Sequence, residues 1–314
     1  MRTSPKLNLF AVMSRNNLLE GNNSKGLKFS SLKINKIIKH VMYVVGQGAQ
    51  YVGMGKDFYE KYSVSREVFD EANQTLGFNL TKLIFDGDQL ELTQTENAQP
   101  AILMTSVAIL RKEYGFDLSS SCNFALGHSL GEYVTLVATK SLSLSDAIKL
   151  VRLRGNAMSR TVSNLGVKTA MAALIVREEN LDKLQEAIKE INTNLPKGES
   201  VELANINSAV ISGTSEGVDL ASSALQLNHL AARAVYLPVS APFHCKLMDP
   251  AREMMKDALN DEIPSLLVKQ VTATVQWQKS IKYCKERGVD NFLLIGPAKV
   301  LANLLRKEYP MDLV

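Results

Sequence analysis

Apolar residues switch between a two-residue and a three-to-four-residue period along this chain, and the switches mark its elements. His40-Val41-Met42-Tyr43-Val44-Val45 reads as a first strand, followed by the glycine loop Gly46-Gln47-Gly48-Ala49-Gln50 and a helix over 54–62. Helical patterns follow at 65–75, 79–86 and 100–114. Asn123-Phe124-Ala125-Leu126 reads as a buried strand, and Tyr133 to Ala138 continues as a helix. A further helix starts near Ser143-Leu144-Ser145-Asp146, with Ser145 or Asp146 as its cap. On it Ala147, Leu150, Val151, Arg154 and Met158 share one stripe.

From about 167 the pattern changes. Lys168–Val176 reads as a strand, Glu178–Ile191 as a helix, Val201–Ile206 and Ala209–Ser212 as strands around a turn at Asn207-Ser208. Ser215–Ala232 reads as a helix and Ala234–Val239 as a strand. The order βαββαβ is that of a split βαβ, ferredoxin-like unit. It predicts an α/β body over 39–166 and 239–314 with a small subdomain, 167–238, inserted into it. The body resumes with a helix near 247–260, Leu266–Gln270, Val275-Gln276-Trp277, a helix over 278–288, strand Phe292–Ile295 and a helix over 299–308.

The charge changes the picture of the first 38 residues. The 314-residue chain has a net charge of +4, but residues 1–40 hold eight Lys/Arg against one acid, Glu20. That segment is therefore +7 and the remainder −3, so the basic balance belongs to a leader and argues against a nucleic-acid-binding body. Residues 1–38 are basic, poor in acids, rich in Ser and Asn and lack an apolar core long enough for a secretory signal, which predicts a targeting segment, with a disordered basic tail as the alternative. No apolar run is long enough to span a bilayer. Three scattered cysteines, Cys122, Cys245 and Cys284, form neither a disulfide framework nor a metal cluster, which predicts a reducing compartment.

The chemistry centres on Gly127-His128-Ser129-Leu130-Gly131, a Gly-x-Ser-x-Gly between a strand and a helix. That setting is a nucleophile elbow, with Ser129 at a helix N-terminus where backbone N–H groups can stabilise an oxyanion. A glycine-bounded turn with an N-cap serine is the plainer alternative. The Gly46–Gln50 loop lacks the third glycine of a dinucleotide site and the lysine of a P-loop, and it could instead bring the Gln47 backbone N–H to a ligand. Of four histidines, His40 borders the leader, His128 adjoins Ser129, and His229 falls on a surface helix. His244 follows a strand end and a proline turn, so elimination makes it the base for Ser129. Arg154 is a cation on an apolar stripe that carries no acid. It either snorkels, pairs with a distant carboxylate or binds a ligand.

Taken together, Gly46–Gln50, Gln99-Pro100-Ala101, Gly127–Tyr133, Arg154-Gly155, Leu237–Met248, Val268–Gln270, Val275–Trp277 and Ile295–Leu301 resemble malonyl-CoA:acyl-carrier-protein transacylases of type II fatty-acid synthesis. The resemblance runs from Val41 to Lys307. It implies a hydrolase-like parallel-sheet α/β body with a ferredoxin-like insert. It further implies that Ser129 is acylated, that His244 is base and then acid, and that Arg154 holds the malonyl carboxylate. Gln47 and Leu130 would supply the oxyanion hole, Gln270 would orient His244 through its carbonyl, and Phe243 would restrict the acyl pocket. Gln99 and Asn205 would support the site. The implied partners are malonyl-CoA and acyl carrier protein, with no cofactor, metal, nucleic acid or membrane. The implied enzyme is a monomer of the mitochondrial matrix, or of a plastid-type organelle.

Two departures from the family pattern stand out. Asn207-Ser208 runs straight into Ala209, and only Pro264-Ser265 joins Ile263 to Leu266, where the family has roughly twenty more residues. The second predicts loss of a body strand or its connection beside Gln270. Two other functions therefore compete: a serine hydrolase or thioesterase using the same pair, and a non-catalytic form that binds carrier protein.

Overall fold

The computed structural model describes residues 12–14, 40–44, 47–114, 124–206, 209–257, 262–289, 291–297 and 311–313. The expected helix over 299–308, the Asn207-Ser208 turn, Cys122 and the leader apart from 12–14 lie outside the described residues.

The elements in order are β1 (Val12–Ser14), β2 (His40–Val44), α1 (Lys56–Lys61), α2 (Ser63–Leu76), α3 (Leu80–Asp86), α4 (Gln89–Thr93) and α5 (Thr95–Tyr114). Next come β3 (Phe124–Gly127), α6 (Gly131–Ala138), α7 (Leu144–Leu165), β4 (Thr169–Ile175), α8 (Leu181–Asn194), β5 (Val201–Asn205), β6 (Val210–Thr214) and α9 (Ser215–Leu227). The chain continues through β7 (Arg233–Tyr236), α10 (Asp249–Asp257), α11 (Glu262–Gln270), α12 (Trp277–Glu286), β8 (Asn291–Ile295) and β9 (Met311–Leu313).

Five strands form the body sheet in the order β1-β3-β2-β8-β9. β3, β2, β8 and β9 run parallel, and β1, inside the segment read as a leader, lies antiparallel on β3. The second sheet has the order β5-β6-β4-β7 with every neighbouring pair antiparallel. Its core is the apolar side chains of β4 to β6 against α8 and α9, including Leu174, Leu184, Ile188, Ile211 and Leu225.

Several boundaries differ from the sequence pattern for physical reasons. α5 starts at Thr95, five residues before Pro100, which sits inside the helix. A proline there cannot bond the carbonyl one turn back. Arg152 Nη1 takes that carbonyl instead, donating to Glu96 O at 2.7 Å, so the helix passes through. The cap of α7 is Ser143, whose hydroxyl accepts from Asp146 N at 3.0 Å and donates to the Asp146 carboxylate at 2.7 Å. The helix after β6 ends at Leu227, and His229 sits in the following turn with φ 57°. Residues 262–270 beside the short junction are a helix, α11, with Pro264 in its first turn, where a missing N–H costs nothing.

α5 and α7 frame the site. From Ala101 to Leu110 every residue of α5 is buried. Gly155 of α7 lies against the start of α5: a Cβ there would stand 2.5 Å from Glu96 Cα and 2.8 Å from Thr95 O. Only glycine allows the two backbones this close, and the contact carries the preceding residue, Arg154, into the core.

Candidate active site

The elbow forms as its glycines demand. A Cβ on Gly127 would fall 2.1 Å from the Gly131 carbonyl carbon, so the strand can turn back onto the helix only without a side chain. Ser129 takes φ 54°, a left-handed conformation that is costly for a residue with a Cβ. Gly131 N donates to His128 O at 2.9 Å and Glu132 N to Ser129 O at 3.1 Å, which closes the first turn. Leu130 caps α6, placing its N–H among the helix-start donors that have no intrahelical acceptor.

His244 arrives from the loop after β7, also left-handed at φ 60° and only 5% exposed. Its Nε2 stands 2.9 Å from Ser129 Oγ. Its Nδ1 lies 3.0 Å from Gln270 O and 3.1 Å from Ala273 O, which fixes the proton on Nδ1 and leaves Nε2 as acceptor. Burial, the Arg154 charge and the neighbouring His128 push the His244 pKa down to about 3, against the pull of the two carbonyls. The ring is therefore neutral at ordinary pH.

Arg154 is 1% exposed, so it does not snorkel. Its Nη1 donates to Gln99 Oε1 at 2.6 Å. Its Nη2 donates to Ser129 Oγ and to Gln270 Oε1, both at 3.1 Å. All three acceptors are neutral, and its Nε has no partner. Burial lowers its pKa, with Tyr133 and Glu132 acting the other way.

The other expected residues join this group at different removes. Gln99 Nε2 donates to Thr95 Oγ1 at 2.8 Å, and Thr95 Oγ1 donates to Gln47 Oε1 at 3.0 Å. Gln47 is thus tied to Arg154 through two side chains. Asn205, at the end of β5, meets His128 Nε2 at 2.9 Å, beside Ser129. Burial holds His128 down at about 4, and its ring lies 6.0 Å from Trp277. Phe243 is buried in an apolar cluster with Met158, Met248 and Val271, beside the base. The short 263–266 junction leaves Gln270 in place.

Gln270 does more than the sequence suggested. Besides its carbonyl contact with His244, its side-chain Nε2 donates to Ser129 O at 2.7 Å and to the Glu132 carboxylate. Glu132 is 3% exposed and had not been singled out. Its signal was a lone acid in the apolar run Gly131–Ala138, six of whose residues, Gly131 to Leu136, are buried. Ala273 and Thr95 were missed as well, because loop carbonyls and first-turn hydroxyls carry no pattern. Among the described residues, no three His, Cys, Asp or Glu cluster in a metal-holding arrangement, and no helix is long and apolar enough to cross a membrane.

A half-buried serine in line with a neutral histidine, beside a buried cation, can transfer an acyl group that bears a carboxylate. Comparison with known proteins points the same way. The acyl transferase domain family matches residues 42–290. Malonyl CoA-acyl carrier protein transacylase of Bacillus subtilis (strain 168) is 40% identical over 289 residues, covering 83% of this chain and 88% of the relative. The protein of that name from Escherichia coli (strain K12) is 35% identical over 290 residues, 83% of this chain and 90% of its own. Among solved structures, a malonyl CoA-acyl carrier protein transacylase from Clostridium perfringens superimposes with a TM-score of 0.75 at 33% identity, covering 88% of this chain and 93% of its own. A malonyl-transacylase in complex with its type II PKS acyl-carrier protein gives 0.77 at 31% identity, over 88% and 96%.

Proposed function

The chain belongs to the acyl transferase domain family, and from that membership we infer that it carries malonyl from coenzyme A to acyl carrier protein through a malonyl-serine. Ser129 Oγ attacks the thioester carbonyl while His244 Nε2 takes its proton. The N–H groups of Leu130 and Gln47 receive the oxyanion. As the tetrahedral species collapses, the C–S bond breaks and His244 returns the proton to the departing coenzyme A thiol. In the second half the carrier-protein thiol gives its proton to His244 and attacks the serine ester, and the proton goes back to Ser129.

The single observation that carries the malonyl assignment is Arg154. A fully buried guanidinium 3.1 Å from the nucleophile, bonded only to neutral acceptors, is matched by a substrate whose free end is a carboxylate. A neutral acyl group, or water alone, would leave the guanidinium fork without a carboxylate in direct contact. Phe243, next to the base, and Met158, 3.5 Å from Gln99 Nε2, belong to one buried apolar cluster, which favours a small unbranched acyl chain and the exclusion of water from the ester.

The four parallel body strands support a hydrolase-like body, and the order β5-β6-β4-β7 supports a ferredoxin-like insert of residues 167–238. The basic composition of residues 1–38 supports a leader that directs the enzyme to the mitochondrial matrix.

Intact-mass measurement after mixing with malonyl-CoA tests the function. A malonyl adduct that acyl carrier protein discharges is expected from the wild type and none from Ser129→Ala. Immediate release of free malonate would indicate a hydrolase, and no adduct on wild type a non-catalytic form.

A further inference from the structure

We propose that Glu132 is the buried countercharge of Arg154, held apart from it by the Gln270 side chain, and that it tunes how tightly the site takes a carboxylate-bearing acyl group. This rests on the malonyl-transfer function above.

Three contacts carry it. Gln270 Nε2 donates to the Glu132 carboxylate and to Ser129 O. Gln270 Oε1 accepts from Arg154 Nη2 at 3.1 Å. A carboxylate only accepts, so Glu132 and the Ser129 carbonyl together fix which way the Gln270 amide points. Its NH2 faces the acid and its oxygen is left facing the guanidinium. One neutral side chain therefore separates a buried anion from a buried cation, with its dipole aligned to both.

The spacing has a purpose that direct contact would defeat. A carboxylate bonded to the Arg154 fork would compete with the substrate for the same donors. With no countercharge at all, the buried cation would be poorly tolerated in the empty enzyme. An acid one side chain away compensates the charge and leaves the fork to neutral, exchangeable acceptors. Glu132 raises the Arg154 pKa against burial, which agrees with this placement. Glu132 touches no reacting atom and is a positioning residue.

The consequence has an unusual sign. Glu132 also repels the malonyl carboxylate, so neutralising it should strengthen substrate binding. In Glu132→Gln the malonyl-CoA KM for acylation should fall about 5- to 50-fold, the effect of one unit charge a side chain's length away at an effective dielectric of about 20. The maximal rate should fall too, because the carboxylate is then held too firmly in the ground state. Acetyl-CoA, lacking the carboxylate, should show no such KM decrease. Glu132→Asp keeps the charge and should return the KM toward wild type.

Acylation by malonyl-CoA and acetyl-CoA would be followed by intact mass for all three proteins, with melting temperatures measured with and without malonate. Malonate should raise the melting temperature of Glu132→Gln more than that of wild type, a readout that survives loss of activity. An unchanged or increased malonyl-CoA KM in folded Glu132→Gln, or an equal malonate shift in both proteins, would overturn the countercharge role. Absence of a malonyl adduct on wild type would instead overturn the function it rests on.

Discussion

Replacing Arg154 by alanine should convert a malonyl enzyme into a poor but more permissive acyl transferase. Arg154 is 1% exposed and holds Gln99, Gln270 and Ser129 through three bonds of 2.6 to 3.1 Å. A carboxylate that loses its buried guanidinium partner typically forfeits about 2–5 kcal/mol, so kcat/KM for malonyl-CoA should fall roughly 30- to several-thousand-fold. Acetyl-CoA meets the opposite penalty in wild type, where it leaves the Arg154 fork without a carboxylate in direct contact, so its kcat/KM should rise. The change also reaches the base. The Arg154 charge is the second largest influence, after burial, pushing His244 down to about 3. Without it the His244 pKa moves up toward the ordinary value of about 6.5. Acyl transfer needs the neutral ring, so the rate of the variant should begin to drop at a higher pH than that of wild type as the solution is acidified. Lysine should restore malonyl transfer only in part, since a point charge cannot form two parallel bonds. The assay is kcat/KM for both thioesters from pH 4 to 8. Proportional losses on both substrates with an unmoved acid limb would show that Arg154 only supports the fold.

Further outcomes follow from the same geometry. Gly155→Ala places a Cβ 2.5 Å from the backbone of Glu96, and should cost about 1–3 kcal/mol in chemical denaturation while weakening malonyl transfer more than acetyl transfer. His128 and His244 are held at about 4 and about 3, so below pH 6.5 the unfolded chain binds protons that the folded one refuses. Stability is full above that pH and should decline by up to about 6 kcal/mol toward pH 4, about half of it from each ring, a slope that flattens in His128→Gln and that calorimetry would measure. Lys279, Lys282 and Lys285 are exposed on α12 of a body that is net −3 beyond residue 40, and reversing their charge should raise the KM for acidic carrier protein alone. Equal effects on malonyl-CoA would exclude a docking role; Lys299, Arg306 and Lys307, the other basic candidates, lie outside the described residues.

The parts of the site that sequence revealed are those with a local signature. Ser129 stood between two glycines, His244 behind a proline turn, and Arg154 as a cation on an apolar stripe. Each is fixed by its own element, so spacing could find it. The order of elements was legible for the same reason, since periodicity reports which face is buried. Glu132 and the side-chain role of Gln270 were hidden because they arise from contacts across more than a hundred residues, such as Gln270 to Glu132 at a separation of 138, and Ala273 because it acts through a loop carbonyl that carries no pattern. Helix ends were blurred where a remote side chain decided them. α5 runs through Pro100 because Arg152, 56 residues from Glu96, donates to the orphaned Glu96 carbonyl. The short 263–266 junction pointed to a lost strand beside Gln270, yet the chain there coils into α11 and still delivers the Gln270 carbonyl to His244.

The small antiparallel sheet lies between the two halves of the body, and this has a consequence for how activity is acquired. Gln99, Ser129 and Arg154 precede β4, whereas His244 and Gln270 follow β7. On a ribosome the nucleophile and its cation are made first, and remain without a base until more than a hundred further residues emerge, 115 separating Ser129 from His244. Closing so long a loop is slow compared with forming the local helices. During refolding, helical signal should therefore recover before the capacity to be acylated. A chain cut between α7 and β4 should yield two inert fragments whose chemistry returns only when they find each other.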